Sequence, residues 1–402
     1  TPSRNSWFAV AVLASCCRVC TGLQPGTALR PPQRHRRPPI ALQLAEDITI
    51  LEMPPGPDPY KMVHDDLEHI KGSIKKLLKS KSGDTSALTS NGVLTMAARE
   101  FMDRKGKSFR PMVVLLIGGA TNPDFTTGAL HSKLAVISEM IHTASLIHND
   151  VLEDHETDTS QGTLVHQEVT LEVGNKVCIL AGDFLLAKAA VELSLLESSA
   201  CTEIIAKGLE QICEGGMMAF RFGEPAEGSA PLTLDAHMEA IGSSVAALIA
   251  NSCQCAAILS GHEADSTVAS ACALYGQHLG MARELIKEAD EVELALRKSR
   301  RSAKRLRSLL PAFVRAPILI ASETHPEVRS LLFSLTQPDA AAEPHSAAAD
   351  FLERSGAVAA TRKLATQHAQ EAADALQVLP NSATRDALVV LCHKVVTGSP
   401  IK

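Results

Sequence analysis

The chain has 402 residues, 39 basic and 45 acidic side chains, and a formal net charge of −6, a balance that argues against nucleic acid as its main partner. It is rich in Ala and Leu but only 3% aromatic, which favours helices, since strands draw on β-branched and aromatic side chains. Ten scattered cysteines, with no second cluster to complete a zinc site, read as reduced and mostly buried thiols.

Residues 1–45 differ from everything after them. They carry Arg4, Arg18, Arg30, Arg34, Arg36 and Arg37, many prolines and no acid before Glu46. The apolar run Trp7 to Cys17 is too short to span a membrane but suits a signal-peptide core, and the Arg/Pro-rich stretch behind it is transit-like. Import into a plastid is the expectation; a plain mitochondrial or plastid transit peptide is the simpler alternative. Residues 46–59 form a Pro-rich joint, and 60–400 read as one domain.

Helical patterning begins at Tyr60–Leu78, where Met62, Val63, Leu67, Ile70, Ile74 and Leu77 recur at three- and four-residue steps. Further helices are predicted at Gly92–Arg104, Arg110–Gly119, Ser132–Asp150, Lys176–Leu196, Thr202–Phe220, Leu234–Ser260, Ser266–Glu293, Val314–Glu323, Ala347–Leu379 (broken near Gly356) and Arg385–Thr397. Alternating strand patterns are almost absent, so the expected fold is all-α. No segment after the N-terminal region reads as apolar and long enough to span a membrane.

Chemistry concentrates where the apolar helix Leu134–Ile147 runs into Asn149-Asp-Val-Leu-Glu-Asp154. Asn149 and Glu153 stand four apart, as do Asp150 and Asp154, so each pair shares a helix face. Such oxygen ligands suit Mg²⁺, which usually also holds a substrate phosphate; the plainer reading is a solvated acidic helix end. A second acidic cluster, Lys287 to Glu293, precedes a basic run holding Arg297, Lys298, Arg300, Arg301, Lys304, Arg305 and Arg307. That run is either a solvated segment or a diphosphate- or membrane-facing patch.

Five motifs in order then carry a resemblance to the trans-prenyltransferases, the polyprenyl diphosphate synthases. Gly106-Lys-Ser-Phe-Arg-Pro111 is similar to the family's GKxxRP, and Asn149–Glu153 sits where the family has its first DDxxD. Gly174-Asn-Lys-Val-Cys-Ile-Leu-Ala-Gly-Asp-Phe-Leu-Leu186, Asn251-Ser-Cys253 and Arg315-Ala-Pro-Ile-Leu319 also fit. The whole pattern most resembles the plastid long-chain solanesyl diphosphate synthases. The resemblance implies an isoprenoid-synthase-type bundle of about a dozen helices around a central cavity, usually dimeric. In it two aspartate-rich helix ends hold Mg²⁺ against an allylic diphosphate, which condenses with isopentenyl diphosphate. Lys107, Arg110 and His142 occupy the isopentenyl diphosphate positions; their ordinary roles would be surface charges and a core histidine.

The metal half departs from the pattern. Asn149 and Glu153 replace aspartates of the first motif, leaving Asp150, with Asp154 just beyond. The second motif falls on Arg283–Glu291, with Lys287 in place of its first aspartate and Glu288 and Glu291 in place of the other two. A lysine there repels Mg²⁺ and is expected to pair with Glu291. The expected metal ligands are thus Asn149, Asp150, Glu153, Asp154, Glu288 and Glu291, in weakened or lost sites, with Asp150 and Glu153 as the catalytic pair. The expected role is a subunit of a heteromeric long-chain synthase, a homodimer or a heterodimer with a complete homologue. The alternative is a non-catalytic diphosphate-binding or regulatory protein that kept the fold.

Overall fold

Every regular element among the described residues is helical, as composition and periodicity predict. The computed structural model describes residues 54–78, 90–103, 108–122, 128–149, 151, 171–223, 233–299, 315–328 and 350–398, with backbone alone at 90–93, 103, 171–173, 219–223 and 298–299. In chain order the helices are α1 Pro59–Met62, α2 His64–Leu77, α3 Ser90–Asp103, α4 Phe109–Thr121, α5 Ala129–Asn149, α6 Leu171–Ser194, α7 Ser199–Gly223, α8 Leu234–Ile241, α9 Ala247–Leu259, α10 Thr267–Ser299, α11 Ala316–Thr324, α12 Ala357–Ala375 and α13 Ala383–Thr397. The predicted presequence and most of the Pro-rich joint lie outside the described residues, as does most of the basic run.

Capping explains several starts. Asp58 accepts from the amides of Tyr60 and Lys61 and pairs across the fold with Lys394 of α13. Thr233 caps α8 and Ser382 caps α13 through the same side-chain-to-amide bond. Between α8 and α9, Gly242–Ala246 form one π-helical turn, so Leu234–Leu259 is continuous helix with a local bulge. This stretch corrects one sequence expectation, since it is long and apolar enough to cross a membrane. Two-thirds of its apolar window is buried inside the protein, which accounts for its hydrophobicity by core packing.

α4 is the centre of the main core. All its residues except Gly119 are buried, and it packs against α5, α9 and α13. Buried polar groups pin that junction: His131 Nε2 meets Ala256 O at 2.9 Å and Ser260 Oγ at 3.1 Å, and Thr121 Oγ1 meets Ser260 Oγ at 2.9 Å. A smaller apolar cluster joins α8, α11, the start of α12 and the second half of α10 through Leu285, Val292, Ile318 and Ala357. The first half of α10 belongs to the main core through Cys272, Tyr275 and Leu279. This 33-residue helix therefore links both clusters.

The approach of α10 to α9 and to the π-helical turn before it depends on two glycines. A Cβ at Gly276 would stand 2.7 Å from Ala250 Cα, and one at Gly280 would stand 2.7 Å from Ala246 Cα. Both neighbours are backbone, so no side chain can swing aside.

Candidate functional site

The second half of α10 concentrates five carboxylates within ten residues, and each one has a cationic partner. Arg315, immediately before α11, is the hub. Its Nη2 lies 2.8 Å from Glu291 Oε2, and its Nη1 lies 3.4 Å from Glu288 Oε1 and 3.8 Å from Glu284 Oε1. Lys287 Nζ pairs with Glu284 at 2.9 Å, Arg362 of α12 bridges Asp290 and Glu293, and Arg297 pairs with Glu293. The expected Lys287–Glu291 pair is therefore corrected. Glu284 and Glu291 are both at helical reach of Lys287, and Arg315 occupies Glu291.

Glu288 has a distinct role. It is fully buried; both its oxygens lie 3.1 Å from His237 Nε2, and Oε2 accepts from the Ala316 amide at 2.8 Å. Arg315 is the N-cap of α11 but has no side-chain cap bond. Glu288 supplies that function from another helix, placing a negative charge on the amide end of α11. Burial alone would raise its pKa, but His237, the Ala316 amide and Arg315 outweigh burial and hold it below the usual glutamate value.

A second group of charges lies beneath this cluster. Arg110, on the first turn of α4, is 5% exposed, and its Nε is buried with no hydrogen-bond partner among the described residues. Burial and then the like charge of Arg283 lower its pKa to about 10, opposed by Glu139 of α5 and Glu284 of α10. It stays charged at neutral pH. Arg283 packs its guanidinium over the Phe109 ring, 4.6 Å from the centroid. Two arginines and two glutamates thus share one buried region between α4, α5 and α10, and only Arg110 was singled out by sequence.

His142 follows Glu139 by three residues, on the same face of α5, and is half-buried. Seven residues further, Asn149 ends α5 in an exposed position. Lys107, Asp150, Glu153 and Asp154 lie outside the described residues. The structure therefore groups Arg110 with the Glu139 turn that leads to His142, and it groups Glu288 with Glu291 around Arg315. Glu139, His237, Arg283, Glu284 and Arg315 are the residues that sequence reasoning missed as site members. The clue available in sequence was that Arg283, Glu284 and Arg315 lie inside or beside the recognised motifs.

The donor set can be tested against a divalent metal. A hard cation such as Mg²⁺ takes oxygen ligands in near-octahedral geometry and keeps several waters. Glu288 is sealed from water, and Glu284 and Glu291 already face Arg315 and Lys287. On α10 this set does not fit Mg²⁺ unless those ion pairs break. α6 shows a different chemistry: the motif glycine Gly182 leaves room for His148, because a Cβ there would lie 2.1 Å from Nε2. The same Nε2 lies 3.2 Å from Ile179 O and 3.4 Å from Asp183 Oδ1.

Comparison with known proteins gives a consistent result. The polyprenyl synthetase family profile matches residues 91–286, ending one residue before Lys287. The chain is 30% identical over 364 residues to solanesyl diphosphate synthase 3, chloroplastic/mitochondrial, of Arabidopsis thaliana, covering 85% of this chain and 80% of that protein. It is 31% identical over 340 residues to a prenyl transferase of Cyanophora paradoxa, covering 83% of this chain and 96% of that protein. In structure it is similar to a polyprenyl synthase from Caulobacter crescentus solved with calcium and isoprenyl diphosphate, with TM-score 0.66, 23% identity, and coverage of 86% and 98%.

Proposed function

The chain belongs to the polyprenyl synthetase family, and on that premise we propose that it is the metal-poor subunit of a heteromeric long-chain trans-polyprenyl diphosphate synthase. The observation that carries the proposal is the Arg315 hub. Where the resemblance calls for metal-binding carboxylates, Glu288 and Glu291, joined by Glu284 one turn earlier, surround a built-in guanidinium, and the third position is Lys287. A fixed cation tied into the fold supplies no exchangeable ligand position, so ionisation of an allylic diphosphate falls to a partner with both aspartate motifs whole. The substitution of Asn149 in the first motif fits the same division of labour, since a neutral amide offers oxygen without charge.

What this chain contributes is binding and assembly. Arg110, whose buried Nε has no hydrogen-bond partner among the described residues, suits one arm of an isopentenyl diphosphate site completed by Lys107 and His142. Assembly has its own support on α6. Ile179, Leu180, Ala187, Ala190 and Val191 are exposed at helical spacing along a face that also carries Asp183, and a largely apolar exposed face of this kind suits a partner surface. A second polyprenyl synthetase chain is the fitting cover. The organellar names of relatives such as the Arabidopsis synthase support a plastid or mitochondrial location, with residues 1–45 as the targeting segment.

The test is product formation. Purified chain with Mg²⁺, an allylic diphosphate and labelled isopentenyl diphosphate is expected to give no long-chain product. Co-expression with a homologue carrying both motifs intact is expected to give a stable heteromer with product beyond that of the homologue alone. Robust product from this chain by itself would overturn the proposal. Heteromer formation without any gain in product would favour the non-catalytic regulatory reading.

A further inference from the structure

Far from the Arg315 hub, α10 and α12 bring three metal-ligating atoms together. The helices run antiparallel: Arg362 meets Asp290 and Glu293, while His368, later on α12, meets His278 much earlier on α10. There His278 Nδ1 lies 2.9 Å from His368 Nδ1 and 2.8 Å from Glu371 Oε2, and His368 Nδ1 lies 3.4 Å from the same oxygen. His368 and Glu371 are three apart on α12, so one helix face presents both. The imidazoles are mostly buried and Glu371 is half-exposed, which leaves the group open to solvent on one side.

Protons satisfy this triangle poorly. A single N–H on His278 cannot point well at both His368 Nδ1 and Glu371 Oε2, and a second N–H on His368 would turn two donors toward each other. A cation of the right size satisfies all three edges together. An ion about 1 Å off the plane of the three atoms stands about 2.0–2.1 Å from each, the bond length of zinc to imidazole nitrogen or carboxylate oxygen.

We propose that His278, His368 and Glu371 form a binding site for a borderline-soft transition metal, with Zn²⁺ as the fitting ion and solvent as its fourth ligand. Two imidazoles and one carboxylate suit Zn²⁺ far better than Mg²⁺, which prefers an all-oxygen shell. Neutral imidazole is the ligating form. Burial, and then His278, lower the pKa of His368 against the opposing pull of Glu371. The metal would clamp α12 onto α10 at a point the apolar core leaves to polar side chains. This site is independent of the family's diphosphate chemistry and of the proposed subunit role.

The experiment uses the full chain, stripped with EDTA and titrated with ZnCl₂ by isothermal calorimetry. Saturable binding of one Zn²⁺ is expected, together with a rise in melting temperature and a visible d–d band when Co²⁺ is used instead. His278→Ala is expected to abolish that site, losing on the order of 100-fold in affinity, because changes merely to outer-shell partners already cost about 10–100-fold. Glu371→Gln, on an exposed side chain unimportant for packing, is expected to lose about tenfold or more by the same comparison. If His278→Ala does not fold, Glu371→Gln decides the matter with the fold intact. Absence of saturable Zn²⁺ binding, or binding of equal strength in Glu371→Gln, would overturn the proposal.

Discussion

Removing the Arg315 guanidinium should expose how much of the fold it holds. In Arg315→Ala, Glu288 keeps His237 and the Ala316 amide but loses one charge at 3.4 Å, while Glu291 and Glu284 lose partners at 2.8 and 3.8 Å. Breaking a buried pair costs about 3–5 kcal/mol, whereas an exposed pair contributes about 0–1. The Arg315 side chain is 27% exposed and Glu291 is 41% exposed, so most of the effect rests on Glu288 and Glu284, and a loss of about 2–3 kcal/mol follows. Urea unfolding at pH 7, followed by far-UV circular dichroism, measures it. A double-mutant cycle with Glu288→Gln isolates the charge interaction, and the coupling should exceed about 0.5 kcal/mol, the ordinary limit of additivity. pH supplies an independent sign. Glu288 titrates below its ordinary 4.5 in the folded state, so its contribution is present above pH 4.5 and is lost as pH falls through the depressed value. The gap between wild type and Arg315→Ala should therefore narrow in acid. A variant within about 0.5 kcal/mol of wild type at pH 7 would refute the reasoning, since that is the scatter of surface substitutions.

Further outcomes follow from other contacts. Gly276→Ala should destabilise by about 1–3 kcal/mol in urea, because its Cβ meets Ala250 backbone. Gly216→Ala, with open space around the position on α7, should instead stabilise by about 0.5–1 kcal/mol. Asp58→Ala loses two cap bonds and the Lys394 pair and should cost about 2 kcal/mol, while Asp58→Asn keeps the cap and should recover roughly half. Arg110→Leu should weaken isopentenyl diphosphate binding by about tenfold or more in calorimetry, the worth of one charged hydrogen bond; unchanged affinity would remove Arg110 from the site.

Helix positions were legible because burial along this chain follows the 3.6-residue period, and predicted and observed ends mostly agree within a few residues. Arg110 was singled out through its motif, and the structure buries it beside Arg283, Glu139 and Glu284. The fate of Glu288 was not, because spacing along one helix reports which residues share a face and not what the facing element brings. Here that element is Arg315 and the amide end of α11, 27 and 28 residues downstream. The partner of Lys287 was ambiguous for the same reason. Glu284 and Glu291 are both within one helical turn, and only the arrival of Arg315 at Glu291 selects between them. The His278–His368–Glu371 group joins residues 90 apart with no local spacing signature on α10, so no sequence motif announced it.

The long helix α10 is fastened by two different physical means. Its first half is held by shape, with Gly276 and Gly280 laid against the backbone of Ala250 and Ala246, and its second half adds to the apolar packing of Leu285 and Val292 a set of polar pairs with Arg315, Arg362 and His237. Shape is indifferent to dissolved ions, whereas the outer pairs of Arg362 with Asp290 and Glu293 are open enough to be screened, with a Debye length of about 3 Å at 1 M salt against about 10 Å at 0.1 M. Ionic strength therefore acts on this helix as on a beam whose outer guy-lines slacken while its seat holds: the Arg362 pairs weaken, and the Gly276 contact and the Val292 packing stay fixed.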